Sequence, residues 1–305
     1  MFLIIDSHAV LHRAYHALPK TFKRGDGELI NAVYGFFSML TAACAELRPK
    51  YLAACFDADQ GTFFRNEYFV GYQMKRKETE SELKSQIKIT KEVLIKAEIP
   101  VFIKPKYEAD DLIGTITKKV LNLKSQISNR KIVVVTGDKD LTQLVSESVS
   151  LYLLKKGVSE ADLVNPAGVE KILGVKPDQV VDYKALVGDS SDNYPGVSGI
   201  GPVGAAKLLR KYQSLKNIYV SLEEIEPVLR EKLKKGKDSA YLSRKLARIH
   251  CKAPLKLNLK KARFDEDKKR KIKEVLVDLH FPSLVKRWEK YFGEEKKRVE
   301  QMKLV

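Results

Sequence analysis

The amino-acid sequence predicts an α/β fold, with a mainly parallel sheet in the first half and a region of short helices after it. Short apolar runs alternate with longer helix-like stretches, as in consecutive βαβ units. Three of those runs lead into an aspartate, at Asp6, Asp57 and Asp138. Beyond about residue 165 the strand-like runs give way to short helical patterns broken by glycine and proline.

In order along the chain, Phe2-Leu3-Ile4-Ile5 reads as the first strand and residues 8–17 as a short helix or turn. Residues 28–47 carry the apolar spacing of a packed helix, closed by Arg48-Pro49. A second strand covers 51–56. The stretch 62–91 mixes aromatics and bases (Phe63, Phe64, Arg65, Tyr68, Phe69, Tyr72, Lys75, Arg76) and shows no clean apolar period. Residues 100–103 read as a strand, 108–122 as a helix, and 131–136 and 148–154 as further strands. Helices follow at 166–173, 178–188 and 202–212, with lysine-rich helical stretches from 222 to the end. The expected division is a core of 1–165 and a helical region of 166–305. No low-complexity linker separates them, so they are expected to pack together.

A chain of 305 residues, 44% hydrophobic and 31% charged, can build a real core, which excludes a disordered class. Its net charge of +17, from 56 basic and 39 acidic residues, calls for a polyanionic partner such as nucleic acid. Cys44, Cys55 and Cys251 are odd in number and far apart, which argues against a disulfide framework or a zinc site. No run approaches the ~18 apolar residues of a membrane span. The first apolar run breaks at Asp6, too early for a signal peptide, so a cytoplasmic location is expected.

Nine acids stand where one parallel sheet would gather them: Asp6, Asp57, Glu108, Asp110, Asp111, Asp138, Asp140, Asp189 and Asp192. Ligands of open α/β sheets bind at the carboxyl ends of the strands. Two like charges about 4 Å apart repel by roughly 4 kcal/mol at an effective dielectric near 20, so such a set requires cations. Oxygen-only ligation suits Mg²⁺ or Mn²⁺, two ions per site. Two such ions could activate a water and stabilise a leaving oxygen, and neither a Gly-x-Ser-x-Gly elbow nor a P-loop offers another route. Two other readings stay open: acids at 108–111 also suit a helix start, and a polar turn also explains Asp189 and Asp192.

The second motif runs from Gly196 to Leu209. Gly199-Ile200-Gly201 makes a tight turn and Pro202 suits the first position of a helix, whose N-terminus, with Gly196, Gly204 and Lys207, would grip a phosphate backbone without reading bases. Glycines chosen for close helix packing are the alternative. His8, His12 and His16 would align on a helix, as a metal site or as a polar floor, with Arg13 available to phosphate. Trp288 and Phe292 read as packing groups.

Together these motifs resemble the bacterial 5′ nuclease family, which comprises the N-terminal nuclease domain of DNA polymerase I and free-standing exonucleases and flap endonucleases. The resemblance rests on Ile4-Ile-Asp-Ser-His8 with Arg13-Ala-Tyr-His16, Phe56-Asp57, Tyr107-Glu-Ala-Asp-Asp111, Thr136-Gly-Asp-Lys-Asp140, and Gly188-Asp-Ser-Ser-Asp-Asn193 running into the glycine hairpin. It implies a Rossmann-like (PIN-like) core, a helical arch at about 62–97, and a helix-three-turn-helix at about 178–212 that often holds K⁺. By position it implies Asp6, Asp57, Glu108 and Asp110 at a tighter metal site, and Asp111, Asp138, Asp140, Asp189 and Asp192 at a second. The arch, with Arg65 among its DNA contacts, would thread a 5′ single strand and be mobile when empty, with Tyr72 stacked on a base. Gln73 stands where the family usually has a lysine, and Arg76 matches the family's arginine. Either Lys75 or Arg76 supplies the missing charge, or turnover is slower. The implied activity is that of a monomeric, metal-dependent 5′-3′ exonuclease and flap endonuclease acting on DNA with 5′ flaps, nicks or 5′ overhangs in replication or repair. A DNA-junction binding protein with weakened catalysis and a PIN-like ribonuclease are the rivals. The chain stops soon after the nuclease region, which fits a free-standing enzyme or an excised domain alike.

Overall fold

The computed structural model describes residues 1–293 apart from 25–26, 59–62, 76–77, 124–130, 156 and 158–159. Six strands form one sheet: β1 (Phe2–Asp6), β2 (Tyr51–Cys55), β3 (Val101–Phe102), β4 (Ile132–Thr136), β5 (Val149–Leu154) and β6 (Ala161–Val164), in the order β3-β2-β1-β4-β5-β6. All neighbours are parallel except β6, which runs antiparallel to β5. The central strands β1 and β4 are buried on both faces, which is why their sequences are continuously apolar. β6 escaped the sequence reading because its Asp162 and Leu163 are exposed at the sheet edge, leaving no apolar run to detect.

Helices α1 (Ser7–Ala17), α2 (Asn31–Leu47), α3 (Ser81–Lys96) and α4 (Ala109–Asn122) alternate with the strands. The second half holds α5 (Pro166–Leu173), α6 (Val180–Val187), α7 (Pro202–Tyr212), α8 (Leu215–Val220), α9 (Pro227–Lys235), α10 (Lys237–Ala247), α11 (Leu259–Ala262), α12 (Glu266–Asp278) and α13 (Pro282–Phe292). Alternate strand side chains feed two core layers. Phe2, Ile4, Ala53, Ile132 and Val134 join Leu112, Ile116, Leu186 and Leu209 on one face. Leu3, Ile5, Leu52, Val133 and Val135 join Val10, Phe36, Ile87, Ile272 and Trp288 on the other. Residues of both halves therefore share each layer. Trp288 is buried and donates its indole N–H to the Lys269 carbonyl at 3.1 Å, in keeping with a packing role.

Within 62–97 the structure differs from the expectation. A 3₁₀ turn at Phe64–Glu67 and further turns to Lys75 precede α3, and α3 buries Leu83, Ile87 and Leu94 in the core against α1, α2 and α12. Its apolar period is masked by buried polar residues. Gln86 accepts from Ala32 N–H at 2.7 Å and donates to Asn31 Oδ1 at 3.1 Å, while the Thr90 hydroxyl donates to the Gln86 carbonyl. Among the described residues, Tyr72, Gln73 and Glu80 before α3 and Leu83 in its first turn reach the sheet's carboxyl edge.

Candidate active site

At the carboxyl ends of β1, β2 and β4 lies a cavity of about 530 Å³, lined by Asp6, Asp57, Glu108, Asp110, Asp138, Asp140 and Asp192 together with His8, His12, His16, Tyr72 and Gln73. Local structure places each acid. Asp6 ends β1 and caps α1, accepting from Ala9 N–H at 3.2 Å and from the Thr136 hydroxyl at 2.6 Å. Asp57 follows β2 and accepts from Ala109 N–H, at the start of α4, at 2.7 Å. Asp138 follows β4 and accepts from Asp140 N–H at 2.8 Å, which turns the pair into one compact loop.

Two of the nine acids are turned away from the cavity, each toward a basic side chain. Asp111 is 0% exposed and receives both arms of Arg65 at 2.8 Å, as well as His250 N–H at 2.8 Å and Glu108 N–H at 3.2 Å. Its oxygens are fully engaged, so the expected role as a second-site ligand is replaced by one as an internal counter-ion. Arg65 is 3% exposed, also donates to Glu108 at 2.6 Å and to the Leu246 and Arg248 carbonyls, and is no DNA contact in this arrangement. A fork-shaped guanidinium is what so buried a carboxylate pair demands. Asp189 pairs with Lys184 at 2.6 Å, and Lys184 also lies 2.5 Å from Asp140. Asp189 further accepts from Ser191 N–H and Asp192 N–H, so the polar turn is real as well. Lys184 went unread in the sequence, because a lysine in the last turn of a helix is ordinary complement to its dipole.

The electrostatics follow from this crowding. Burial raises Asp6 to about 7, helped by Asp138 and Asp57 and opposed by its Thr136 bond. Burial raises Glu108 to about 8 against the pull of Arg65, and raises Asp138 to about 6 with the help of Asp140. Asp110 is also driven up, first by burial and then by Asp138. Burial acts in the same direction on Asp189, but the Lys184 and Ser191 bonds outweigh it and hold the group at about 2. Oxygen donors that carry protons for want of positive charge fit hard divalent cations. Among the described residues no three His, Cys, Asp or Glu side chains form a tight cluster; Arg65, Lys184 and Gln73 stand between the acids.

The segment before α3 closes on these acids. Tyr72 is 4% exposed and its hydroxyl donates to Glu108 at 3.1 Å, so the ring is not presented for stacking on a base. Gln73, with φ 57°, donates its amide to Glu108 at 2.7 Å and Asp192 at 3.1 Å, and its backbone N–H to the Asp192 carbonyl. Asn193 donates to the Gly71 carbonyl at 2.7 Å. Lys75 is exposed beside this segment, and Arg76 lies outside the described residues. Arg13, expected to face phosphate, instead donates to the Lys155 carbonyl and packs on Gly137, where a Cβ would stand 2.9 Å from its Nε. His8, His12 and His16 do align, with ring centres 5.5 and 6.3 Å apart, and His8 Nδ1 lies 3.8 Å from Asp57.

At the hairpin the two readings of the glycines divide by residue. Gly196 has φ 64° and a Cβ there would lie 2.3 Å from Gly188 N, so it serves close packing. Gly199 has φ 78° and turns the chain beside Lys232. Gly201 has nothing within 4 Å of a Cβ and Gly204 only Ile200 at 3.8 Å, which leaves their face open at the start of α7. Lys207 is exposed on the same helix. Ile200, expected at the DNA surface, is 5% exposed in the core, and its N–H donates to the Val197 carbonyl.

A family model described as 5′-3′ exonuclease, N-terminal resolvase-like domain, matches residues 1–174, and one described as 5′-3′ exonuclease, C-terminal SAM fold, matches 175–270. DNA polymerase I of Bacillus caldotenax is 37% identical over 301 residues, which are 98% of this chain and 34% of that protein. This chain thus spans about a third of the polymerase relatives it matches. A 5′-3′ exonuclease of Bacillus subtilis is 37% identical over 265 residues, 86% of this chain and 87% of that one. Among solved structures, a bacteriophage T5 flap endonuclease in a pseudo-enzyme-product complex with DNA and metal ions superposes with a TM-score of 0.66 at 17% identity, covering 96% of this chain and 98% of that one, a likeness of fold. With both halves matched in sequence and fold, this chain belongs to the 5′-3′ exonuclease family and is a nuclease.

Proposed function

We propose that this chain is a divalent-metal-dependent, structure-selective 5′ nuclease that hydrolyses DNA phosphodiesters near junctions of single and double strand, at 5′ flaps, nicks or 5′ overhangs. One observation carries the reading: seven of the nine expected acids line one cavity at the strand ends, and burial raises Asp6, Glu108 and Asp138 into the range of about 6 to 8. The metal and the DNA in the T5 flap endonuclease complex, which shares this fold, support it. Asp6, Asp57, Glu108 and Asp110 would hold the tighter ion, with Asp138, Asp140 and Asp192 toward the second. Bound there, Mg²⁺ or Mn²⁺ supplies Lewis acidity to the attacking water and the leaving oxygen.

The chain's own residues do the rest. Arg65 fixes Glu108 from behind and Thr136 fixes Asp6, so both carboxylates are oriented before substrate arrives. Tyr72 and Gln73 cover Glu108 and must give way to a 5′ strand. The open face of Gly201 and Gly204, with the α7 N-terminus and Lys207, would hold duplex phosphates, with K⁺ a fitting counter-ion at the turn. We take the protein to act as a monomer in the cytoplasm; no described helix is long and apolar enough to cross a membrane.

Asp138→Ala should lower cleavage of a labelled 5′-flap in Mg²⁺ by about 10³-fold or more while leaving flap binding in Ca²⁺ within about threefold. Full cutting by this variant would discredit the site. A neutral Gln73 on Glu108 and Asp192 favours, as second reading, a junction binder with weakened catalysis. Wild-type turnover on the DNA flap, against an RNA flap and an EDTA control, separates that reading and the ribonuclease one from the first.

A further inference from the structure

Beyond the acids, the cavity runs on along α1. Asp6 caps the start of that helix, His8, His12 and His16 line one wall at successive turns, and Tyr15 and Glu80 stand at the far end. At a rise of 1.5 Å per residue, Tyr15 lies about 14 Å from Asp6 along the helix axis. There the cavity is bridged. Tyr15 is anchored in the core, and its hydroxyl lies 2.5 Å from Glu80 Oε2 and 2.7 Å from Glu82 Oε2, at the N-cap and first turn of α3. A phenol has one proton, so it serves one carboxylate at a time. Lys20, just past α1, compensates the other: its ammonium donates to the Tyr15 oxygen at 2.8 Å, to Glu82 at 2.9 Å and to Glu80 at 3.3 Å. Lys20, Glu80 and Glu82 are each more than half exposed, and ion pairs so exposed are weak and screened by salt. The bridge therefore holds α1 to α3 yet yields to a competing anion. At the 3.4 Å spacing of a stacked strand, about four nucleotides fit between the acids and this bridge.

We propose that Tyr15, Lys20, Glu80 and Glu82 form a latch across the far end of the cavity, a specificity-determining cluster that admits short 5′ ends directly and long flaps only after it opens. The inference rests on the action at 5′ ends proposed above. A 5′ end of up to about four nucleotides reaches the acids with the latch shut. A longer strand has to part α1 from the start of α3, and its phosphates do so by taking Lys20 from the two carboxylates.

The test is single-turnover cleavage by the full chain in Mg²⁺ of duplexes that differ only in flap length, about two against about twenty nucleotides. Wild type should cut the short flap faster by about tenfold or more. Tyr15→Phe keeps the packed ring and removes the hydroxyl. It should raise the long-flap rate by about tenfold, as for loss of a hydrogen bond to a carboxylate, and leave the short-flap rate within about twofold. Lys20→Met, at an exposed position, should do the same and guards against a misfolded phenylalanine variant. Lys20→Arg should keep the wild-type ratio. Equal rates on the two flaps in wild type, or a ratio unchanged in both Tyr15→Phe and Lys20→Met, overturns the latch and leaves the nuclease reading standing. No cleavage of either flap by wild type overturns that reading and the latch with it.

Discussion

Arg65 and Lys184 each join two acids, Glu108 with Asp111 and Asp140 with Asp189, so part of the positive charge demanded by this crowded site comes from the chain itself. Removing one partner of a buried pair leaves the other as an uncompensated charge. Arg65→Met should therefore destabilise the protein by about 3–5 kcal/mol, seen as a lower urea midpoint, because Asp111 would stay buried with backbone donors only. A midpoint equal to wild type would contradict the clamp. The remaining acids set the pH dependence. Asp6, Glu108 and Asp138 rise to about 7, 8 and 6, so the folded chain without metal holds protons that the unfolded chain has released. A raised carboxyl group favours folding at low pH and loses that contribution as pH climbs from its unfolded value, near 4, through its folded one. Divalent ions compete with those same protons. The gap between melting temperatures in Mg²⁺ and in EDTA should be small near pH 5 and widen from about pH 6 to pH 8. A gap of constant size in a fluorimetric melting series would refute this coupling.

Gln73 shows what an element can hide from a sequence reader. The strands that lead into Asp6, Asp57 and Asp138 were readable because each apolar run is buried and stops where chemistry begins. Helices α5 and α7 were readable to the residue because proline opens each of them, and Asn165 caps the first. The acids' side of the site was readable for the same reason: a strand end fixes where its aspartate points. What remained hidden depends on partners far away in the chain. Nothing near position 65 announces that its guanidinium meets Asp111, and nothing near 73 announces that its amide spans Glu108 and Asp192. Four of the ties among the described residues hold Gly71, Tyr72 and Gln73 against the site: the Gln73 amide, the Gln73 N–H, the Tyr72 hydroxyl and the Asn193 amide. Gln73→Ala removes the first at little cost to the core, since the residue is on the cavity wall. Amide hydrogen exchange over residues 71–75 should speed up by about tenfold, as for loss of one or two kcal/mol of local closure, with the global melting temperature unchanged. Equal protection in the variant would show that the other three ties suffice.

Taken as one body, the molecule separates its charges. Thirty of the 39 acids remain once the nine of the site are set aside, against 56 lysines and arginines, so the outer surface is far more basic than the net charge of +17 conveys. The acidic cavity sits at the strand ends, while Lys207 and Arg210 are exposed on α7 beside the open glycine face. Residues of both halves share the core layers, so duplex held at α7 and a strand entering over Gln73 would be registered by one packed scaffold rather than by a hinge. On the proposed reading the grip would be mostly ionic and insensitive to sequence. With about five phosphates neutralised, the logarithm of the association constant for a 5′-flap duplex in Ca²⁺ should fall against the logarithm of salt with a slope of about −4.5. Lys207→Ala should make that slope shallower by about 1 and weaken all flap sequences alike. A grip built on apolar or base contacts would instead give a slope near zero, with a loss at Lys207 that varies from one sequence to the next, and the salt series distinguishes the two without any measurement of cleavage.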